Sequence, residues 1–454
     1  MTENRVHFIA IGGSAMHNLA LALHHKGYVV TGSDDEIVDP ARTRLESCGL
    51  LPEKDGWFPE KLYHNINSII LGMHARADNP ELARAKELGL KIFSYPEFLY
   101  EQSKDKLRVV IGGSHGKTTI TAMILHVLHH CGVDTDYMVG AKLEGFDVMV
   151  RLTDKAGVMV FEGDEYLTSA LDLRPKFHLY KPDIALVSGI AWDHMNVFPT
   201  FDNYIEQFRI FMKMLPDSGA LIYCREDPEV CKAVDSISLA ADIIPYGVPE
   251  HRLSGGKTIL IAPEGEFALK IFGRHNLMNL EGARLVCKQL NISNQKFYEA
   301  ISSFKGASNR LELIAEKSGF NAYRDFAHAP SKLKATIQAV KEQFPGRRLV
   351  ACFELHTYSS LNKDFLGEYA GSMEKADVAV VYFSPHALEL KKLPMLNPTD
   401  IENAFRKPGM LVFADPETFR QYLLSQNWED ANLLLMSSGN FDGLKLKEFA
   451  EGLL

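Results

Sequence analysis

Along nearly the whole chain, short apolar runs alternate with amphipathic stretches of helical period. Val6-His7-Phe8-Ile9-Ala10-Ile11 predicts a strand running into Gly12-Gly13-Ser14, and Met16, Leu19, Ala20 and Leu23 then recur at the spacing of one helix face. Strands are also predicted at 28–30, 68–72 and 91–93, and the alternation describes a parallel, doubly wound sheet over residues 1–106. A second block, 107–308, opens with the strand Val109-Val110-Ile111 and a helix through Ala122, Ile124, Leu125 and Leu128. Its further strands fall at 158–161, 184–187 and 220–223, a hairpin pairs 258–261 with 267–271, and 273–289 reads as a loop leading into a helix. The third block, 309–454, places strands at 349–353, 378–383, 410–413 and 433–436 with amphipathic helices between them. The pattern predicts an α/β protein of three domains, each its own α/β unit.

Composition narrows the function. The 454 residues suit about three domains, and an apolar content of 46% lets each bury a core. A net charge of −9 and a pI near 6.0 argue against a general nucleic-acid binder. No apolar run reaches the length of a bilayer span, and the N-terminus enters a strand directly, so neither a secretory leader nor a membrane partner is expected. The cysteines at 48, 131, 224, 231, 287 and 352 show no metal spacing and read as reduced thiols of a cytoplasmic protein.

Chemistry concentrates in Gly112-Gly113-Ser114-His115-Gly116-Lys117-Thr118-Thr119, between the apolar strand and its helix. Backbone N–H groups in such a turn point at a bound anion, and the positive end of the helix adds to the field. Lys117 has the length to reach terminal phosphates, and the Thr118 hydroxyl can complete a Mg²⁺ shell. The full G-x-x-x-x-G-K-[ST] pattern would need Gly at 111, where Ile stands, so the motif is the shorter G-x-x-G-K-T-T. Strand, loop, lysine and helix agree. Gly113, Ser114, His115, Gly116, Lys117, Thr118 and Thr119 are therefore read as an ATP site rather than an ordinary strand–turn–helix junction.

Polar motifs follow the later strands. Phe161-Glu162-Gly163-Asp164-Glu165-Tyr166 ends an apolar strand, where ligands bind in parallel sheets, and its oxygens suit Mg²⁺; an acidic surface turn is the plainer alternative. Ala191-Trp192-Asp193-His194-Met195-Asn196 follows another strand in the same way. Asn276 and Asn279 lie three residues apart, on one face if the segment is helical, and amides suit a nucleobase edge or a phosphate. Arg310 and Asp325 stand just past a domain boundary, from where they can close over a nucleotide. In the first domain the turn looks like G-x-G-x-x-G, but Ala10 and Ala15 replace the outer glycines, which weakens a nicotinamide reading. Asp34 ends the second strand, where a ribose hydroxyl is held in such sheets; a turn carboxylate in water is as good a reading.

Taken in order, GGSHGKTT, FEGDEY, WDHMNVF, GRHNLMN, SNRLEL and YRDFAHAP resemble the Mur ligase family, and the resemblance covers nearly the whole chain. The family's members are ATP-dependent enzymes that join amino acids or peptides to UDP-N-acetylmuramic acid during peptidoglycan assembly. The resemblance implies a Rossmann-like UDP-sugar-binding domain at 1–106, a P-loop ATPase domain at 107–308, and a Rossmann-like domain at 309–454 that closes over ATP and binds the amine substrate. It implies ATP and Mg²⁺ as cofactors, UDP-N-acetylmuramate and a peptide or amino acid as partners, and a monomer or weak homo-oligomer. The stretches IGGSAM and GSD are similar to the branch that binds UDP-N-acetylmuramate itself, so Gly12, Gly13, Ser14, Ser33 and Asp34 are expected to hold the UDP-sugar rather than NAD. By the same likeness Lys117 and Thr118 match the phosphate-loop lysine and the Mg²⁺ hydroxyl, Glu162 the magnesium carboxylate, and His194 the metal-site histidine. Asn276 and Asn279 match the nucleotide-site asparagines, and Arg310 and Asp325 the residues that complete the ATP site; Lys117, His194 and Arg310 carry the catalytic expectation.

The chain departs from the family pattern in places. Gly189 and Ala191 stand where related chains often carry Asn and Glu, Asn309 replaces the first of two arginines, Arg324 the first Asp of a pair, and Ala329 the second His of H-H-P. Arg209 occupies the position of a carbamylated lysine found in some members, and a guanidinium cannot form that carbamate. Two activities compete for the amine step. Phe353-Glu354-Leu355-His356-Thr357-Tyr358-Ser359-Ser360-Leu361-Asn362 and 435–443 look more like the recycling ligase, which adds L-Ala-γ-D-Glu-meso-diaminopimelate, than like the L-alanine-adding enzyme with its F-Q-P-H-x-Y-T-R-T. The likeness favours the tripeptide, with L-alanine as the alternative, and His356, Tyr358 and Asn362 are expected at the amine site. A nicotinamide oxidoreductase and a non-catalytic UDP-sugar-binding protein are the readings from other classes.

Overall fold

The computed structural model describes residues 4–453, except 74, 142, 144, 147, 170–171 and 193–196. The chain divides into two units: Met1–Gly247 with Asn279–Ala300, and Val248–Met278 with Ile301–Leu454.

The first unit holds two sheets. In the smaller, the strands stand in the order Val29–Ser33, Arg5–Ile9, Ser68–Leu71, Ile92–Ser94, all parallel. The strand order reverses beside Arg5–Ile9, which places the crevice of such a sheet at its carboxyl edge, next to residues 10–14. The larger sheet runs Asp242–Tyr246, Ala220–Cys224, Ile184–Val187, Leu107–Gly112, Val158–Glu162, Thr135–Met138, Val150–Arg151. Its neighbours are parallel except for the last pair. Leu107–Gly112 is central because it is apolar on both faces: Val109, Val110 and Ile111 are wholly buried. Register pairs Ile111 with Glu162 and Gly112 with Val187, so the ends of three strands meet along one edge.

Two helices frame that edge. Lys117–His130 is apolar nearly all round and buries Ile120, Met123, Ile124, Val127 and Leu128. Phe201–Lys213 is amphipathic, with Tyr204, Ile205, Phe208, Phe211 and Met212 on its buried stripe, and Thr200 caps it by accepting from the Asn203 amide.

The second unit pairs a three-stranded antiparallel sheet, His251–Ser254, Lys257–Ala262 and Gly265–Leu269, with a six-stranded one. The latter runs Glu312–Lys317, Phe320–Asp325, Ala431–Met436, Arg348–Leu355, Val378–Phe383, Leu411–Phe413, parallel except for its first pair. Besides the strands Thr135–Met138, Val150–Arg151, Asp242–Tyr246 and His251–Ser254, which the sequence reading did not include, two features differ from it. The hairpin Glu312–Lys317/Phe320–Asp325 was not expected, since charged residues break its alternation. The helix Arg274–Gln289 begins at once after Gly273, without the loop anticipated there.

Candidate active site

The strand Leu107–Gly112 delivers the chain into the turn at 113–116, and Lys117–His130 starts directly after it. Gly113 and Gly116 take φ of 128° and 83°, where a side chain is strained. Space demands glycine as well. A Cβ on Gly116 would lie 2.5 Å from Asn279 Oδ1, and one on Gly113 would collide with Ser188. The Asn279 carboxamide is thus laid against the loop, and the Ser188 hydroxyl donates to the carbonyl of His115. Among the described residues no side chain caps the helix at Gly116, an arrangement that suits an anion at its first turn.

Lys117 Nζ donates to the Gly113 carbonyl at 2.5 Å and to Glu165 Oε2 at 2.7 Å. Burial opposes its charge, but Glu165, Asp164 and Glu162 outweigh that penalty and shift the ammonium upward, so Lys117 stays a cation at neutral pH. Thr118 Oγ1 donates to Glu162 Oε1 at 2.7 Å, and the Gly140 amide donates to Glu162 Oε2 at 2.8 Å. Both side chains are buried. A hydroxyl and a carboxylate converging beside a phosphate-type loop are the hard oxygen donors that Mg²⁺ takes, with phosphate oxygens and water completing its shell. Among the described residues no group of three or more His, Cys, Asp or Glu is placed to hold a metal by itself.

Ser114 Oγ accepts from the Ala191 amide at 2.7 Å and lies 2.9 Å from Tyr204 Oη. His194, expected at the metal, lies outside the described residues. Thr119 is buried in the first turn of the helix. Arg209 donates to Ser236 Oγ at 2.9 Å and to Glu206 at 3.3 Å.

At the smaller sheet, Ala10 has φ of 71°, a left-handed backbone that costs a residue with a Cβ about 1–2 kcal/mol. The outer glycine of the dinucleotide pattern is therefore replaced in identity while its backbone shape is kept. The Ser33 carbonyl accepts from the amides of Ala10 and Ile11 at 2.9 and 3.1 Å. Asp34 Oδ2 accepts from the Gly12 amide at 2.7 Å and Oδ1 from the Asp35 amide at 3.0 Å. Asp34 is only 5% exposed, so the reading of it as a turn carboxylate in water is corrected: its carboxyl braces the turn from within. Burial outweighs the Gly12 hydrogen bond and pushes it up to about 6. Gly13 and Ser14 then open the helix Ser14–His25.

In the second unit, Asn276 Nδ2 donates to the Phe272 carbonyl at 3.0 Å. Asp325 accepts from the amides of Leu311 at 2.6 Å and Ala327 at 2.7 Å, clasping the loops on either side of the hairpin. Burial raises its pKa despite the charge of Arg310. The Arg310 guanidinium lies over the Phe326 ring at 4.7 Å. Arg324 makes a two-pronged pair with Glu312, at 2.9 and 3.0 Å.

The two stretches compared for the amine step converge on Glu354, which is 2% exposed. Its Oε2 accepts from the Ser437 hydroxyl and, at 2.8 Å, from the Phe441 amide, while Oε1 faces His356 Nδ1 at 3.7 Å. Tyr358 is exposed, and Asn362 Oδ1 is occupied by the Asp364 amide at 3.0 Å. Sequence reasoning gave no role to Glu354, although a carboxylate inside the apolar run of Arg348–Leu355 was a usable signal. Glu165 stood inside a quoted motif without a role, and Tyr204 could not be told from an ordinary core aromatic.

Fold and loop together define an α/β enzyme with a P-loop in its central sheet. Residues 5–106 match the catalytic domain of the Mur ligase family, 111–287 the Mur ligase middle domain, and 309–439 the Mur ligase glutamate ligase domain. A UDP-N-acetylmuramate–L-alanine ligase from Sulfurihydrogenibium sp. is 31% identical, over 83% of this chain and 82% of that one. The solved UDP-N-acetylmuramate–alanine ligase from Thermotoga maritima is 20% identical with a TM-score of 0.72, covering 99% and 98% of the two chains. The murein peptide ligase from Psychrobacter arcticus is 23% identical with a TM-score of 0.65, covering 99% of both. The chain belongs to the Mur ligase family and has its three-domain architecture. It is an ATP-dependent ligase that forms a C–N bond.

Proposed function

We propose that the chain joins an amine to the carboxylate of UDP-N-acetylmuramate at the expense of ATP, in the cytoplasm, and that L-alanine is the amine. The observation that carries the ligase site is the phosphate loop with Lys117, Thr118 and Glu162 gathered on one strand edge. L-alanine is supported by the description of the full-domain relatives.

A carboxylate is a poor electrophile, and phosphorylation activates it. A carboxylate oxygen attacks the γ-phosphorus, the bond to the β-phosphate oxygen breaks, and an acyl phosphate and ADP result. The amine nitrogen then attacks the acyl carbon, the carbon–oxygen bond to phosphate breaks, and a proton is released. Lys117 offsets the charge of the two approaching anions, and this kind of positioning and neutralisation is most of what phosphoryl transfer needs. Mg²⁺ bound by Thr118 and Glu162 would supply further positive charge. Asn279 supports the loop from the side, and Gly12, Gly13, Ser14 and the braced Asp34 form the UDP-sugar turn. In the second unit Arg310, Asn276 and Asp325 are the ATP-site candidates, Asp325 by holding the loop that carries Arg310.

One observation supports the tripeptide as a second reading. The two stretches that look more like the recycling ligase, 353–362 and 435–443, meet at Glu354, which His356 Nδ1 faces at 3.7 Å. Phosphate release with UDP-N-acetylmuramate and either amine decides between the two.

A further inference from the structure

We propose that Tyr204 is a positioning residue of the phosphoryl-transfer step, setting Lys117 through Glu165. This inference rests on the phosphate-loop reading above and adds a residue to it.

The hydrogen bonds run one way. The Ala191 amide donates to Ser114 Oγ at 2.7 Å. Ser114 Oγ and Tyr204 Oη stand 2.9 Å apart, and Tyr204 Oη donates to Glu165 Oε1 at 3.2 Å. Glu165 Oε2 in turn accepts from Lys117 Nζ at 2.7 Å. Since the Tyr204 proton is committed to the carboxylate, the Ser114 hydroxyl donates to Tyr204. One chain of donors thus links the segment after the strand Ile184–Val187 to the phosphate loop and ends on the carboxylate that holds the lysine.

Position and burial favour this role over simple packing. Tyr204 and Glu165 are 0% and 1% exposed, and the Tyr204 ring is seated between Phe198 and Phe208, each with its centroid 5.2 Å away. Phenylalanine would fill the same ring space, so packing alone gives no reason for a hydroxyl. A buried carboxylate beside a lysine has more than one available geometry, and a donor fixed by a rigid ring on its second oxygen selects one. Such chains strengthen in a low-dielectric interior, and their members lose function together when a link is removed.

The test compares Tyr204→Phe, Glu165→Gln, the double variant and Lys117→Ala in steady-state ligation with UDP-N-acetylmuramate. The expected result is a Y204F protein that still folds, with a thermal midpoint lowered by about a few degrees, a kcat lowered about tenfold or more, and little change in either KM. In the E165Q background, Tyr204→Phe should add almost nothing, because the hydroxyl acts through that carboxylate. A Y204F enzyme of normal kcat, a Y204F chain that does not fold, or full additivity with E165Q would each overturn the inference. Lys117→Ala keeps the two levels apart: if it retains activity the phosphate-loop reading fails, and if it is inactive while Y204F is normal only the role of Tyr204 fails.

Discussion

The Thr118 hydroxyl and the Glu162 carboxylate meet at 2.7 Å although the chain between them crosses two further strands of the same sheet. The contact follows from register, which sets Ile111 against Glu162 so that the acidic strand ends level with the loop. Replacing Glu162 by Gln keeps the shape and removes the charge. The Mg²⁺ concentration for half-maximal turnover should rise severalfold while UDP-sugar affinity stays constant. An unchanged Mg²⁺ dependence would remove Glu162 from the cation site.

Gly116→Ala should be costly for two reasons, a left-handed φ and a Cβ pressed on Asn279. Strain and overpacking together come to about 2–4 kcal/mol, readable by denaturant unfolding. Asn279→Ala in the same chain should return part of that stability. If the two substitutions are simply additive, the side chains do not meet as described.

Most of the parallel framework was legible from apolar runs punctuated by glycine, because buried strands carry little but aliphatic residues. The turn at 113–116 was legible through its glycines: Gly113 and Gly116 are needed by backbone and by space alike. What escaped was tertiary. Nothing local marks Tyr204 as more than a core aromatic, and the role of Asp34 depended on the Gly12 amide folding back over it. The hairpin Glu312–Lys317/Phe320–Asp325 was missed because its Arg324–Glu312 pair puts charges inside a strand pattern.

Asp34 gives a pH signature. Its carboxyl is raised to about 6 in the fold from an ordinary value of 3.8, so between those values the folded chain holds a proton that the unfolded chain has lost. Its contribution to stability is therefore greatest below about pH 4 and declines as pH rises through about 6, by at most about 3 kcal/mol. Asn is a neutral stand-in for the protonated carboxyl, so wild type should lose stability relative to Asp34→Asn as pH rises from 4 to 7. A wild type that gains stability on the variant with rising pH would mean that the sign is wrong.

The amine loop separates exposed from braced positions. Tyr358→Ala removes an exposed ring and should raise the KM for the amine with that for ATP unchanged. Asn362→Ala also frees the Asp364 amide, so loop order should suffer with it, seen as faster hydrogen exchange at 363–365. Equal effects of Tyr358→Ala on both substrates would place the amine elsewhere.

The most direct measurement is phosphate release by the purified chain with ATP, Mg²⁺ and UDP-N-acetylmuramate, given L-alanine in one arm and L-Ala-γ-D-Glu-meso-diaminopimelate in the other. Turnover that requires UDP-N-acetylmuramate and yields the L-alanyl product is the predicted result. Turnover with the tripeptide alone would move the assignment to the second reading. Phosphate release indifferent to UDP-N-acetylmuramate, or none with either amine, would contradict the proposed ligation.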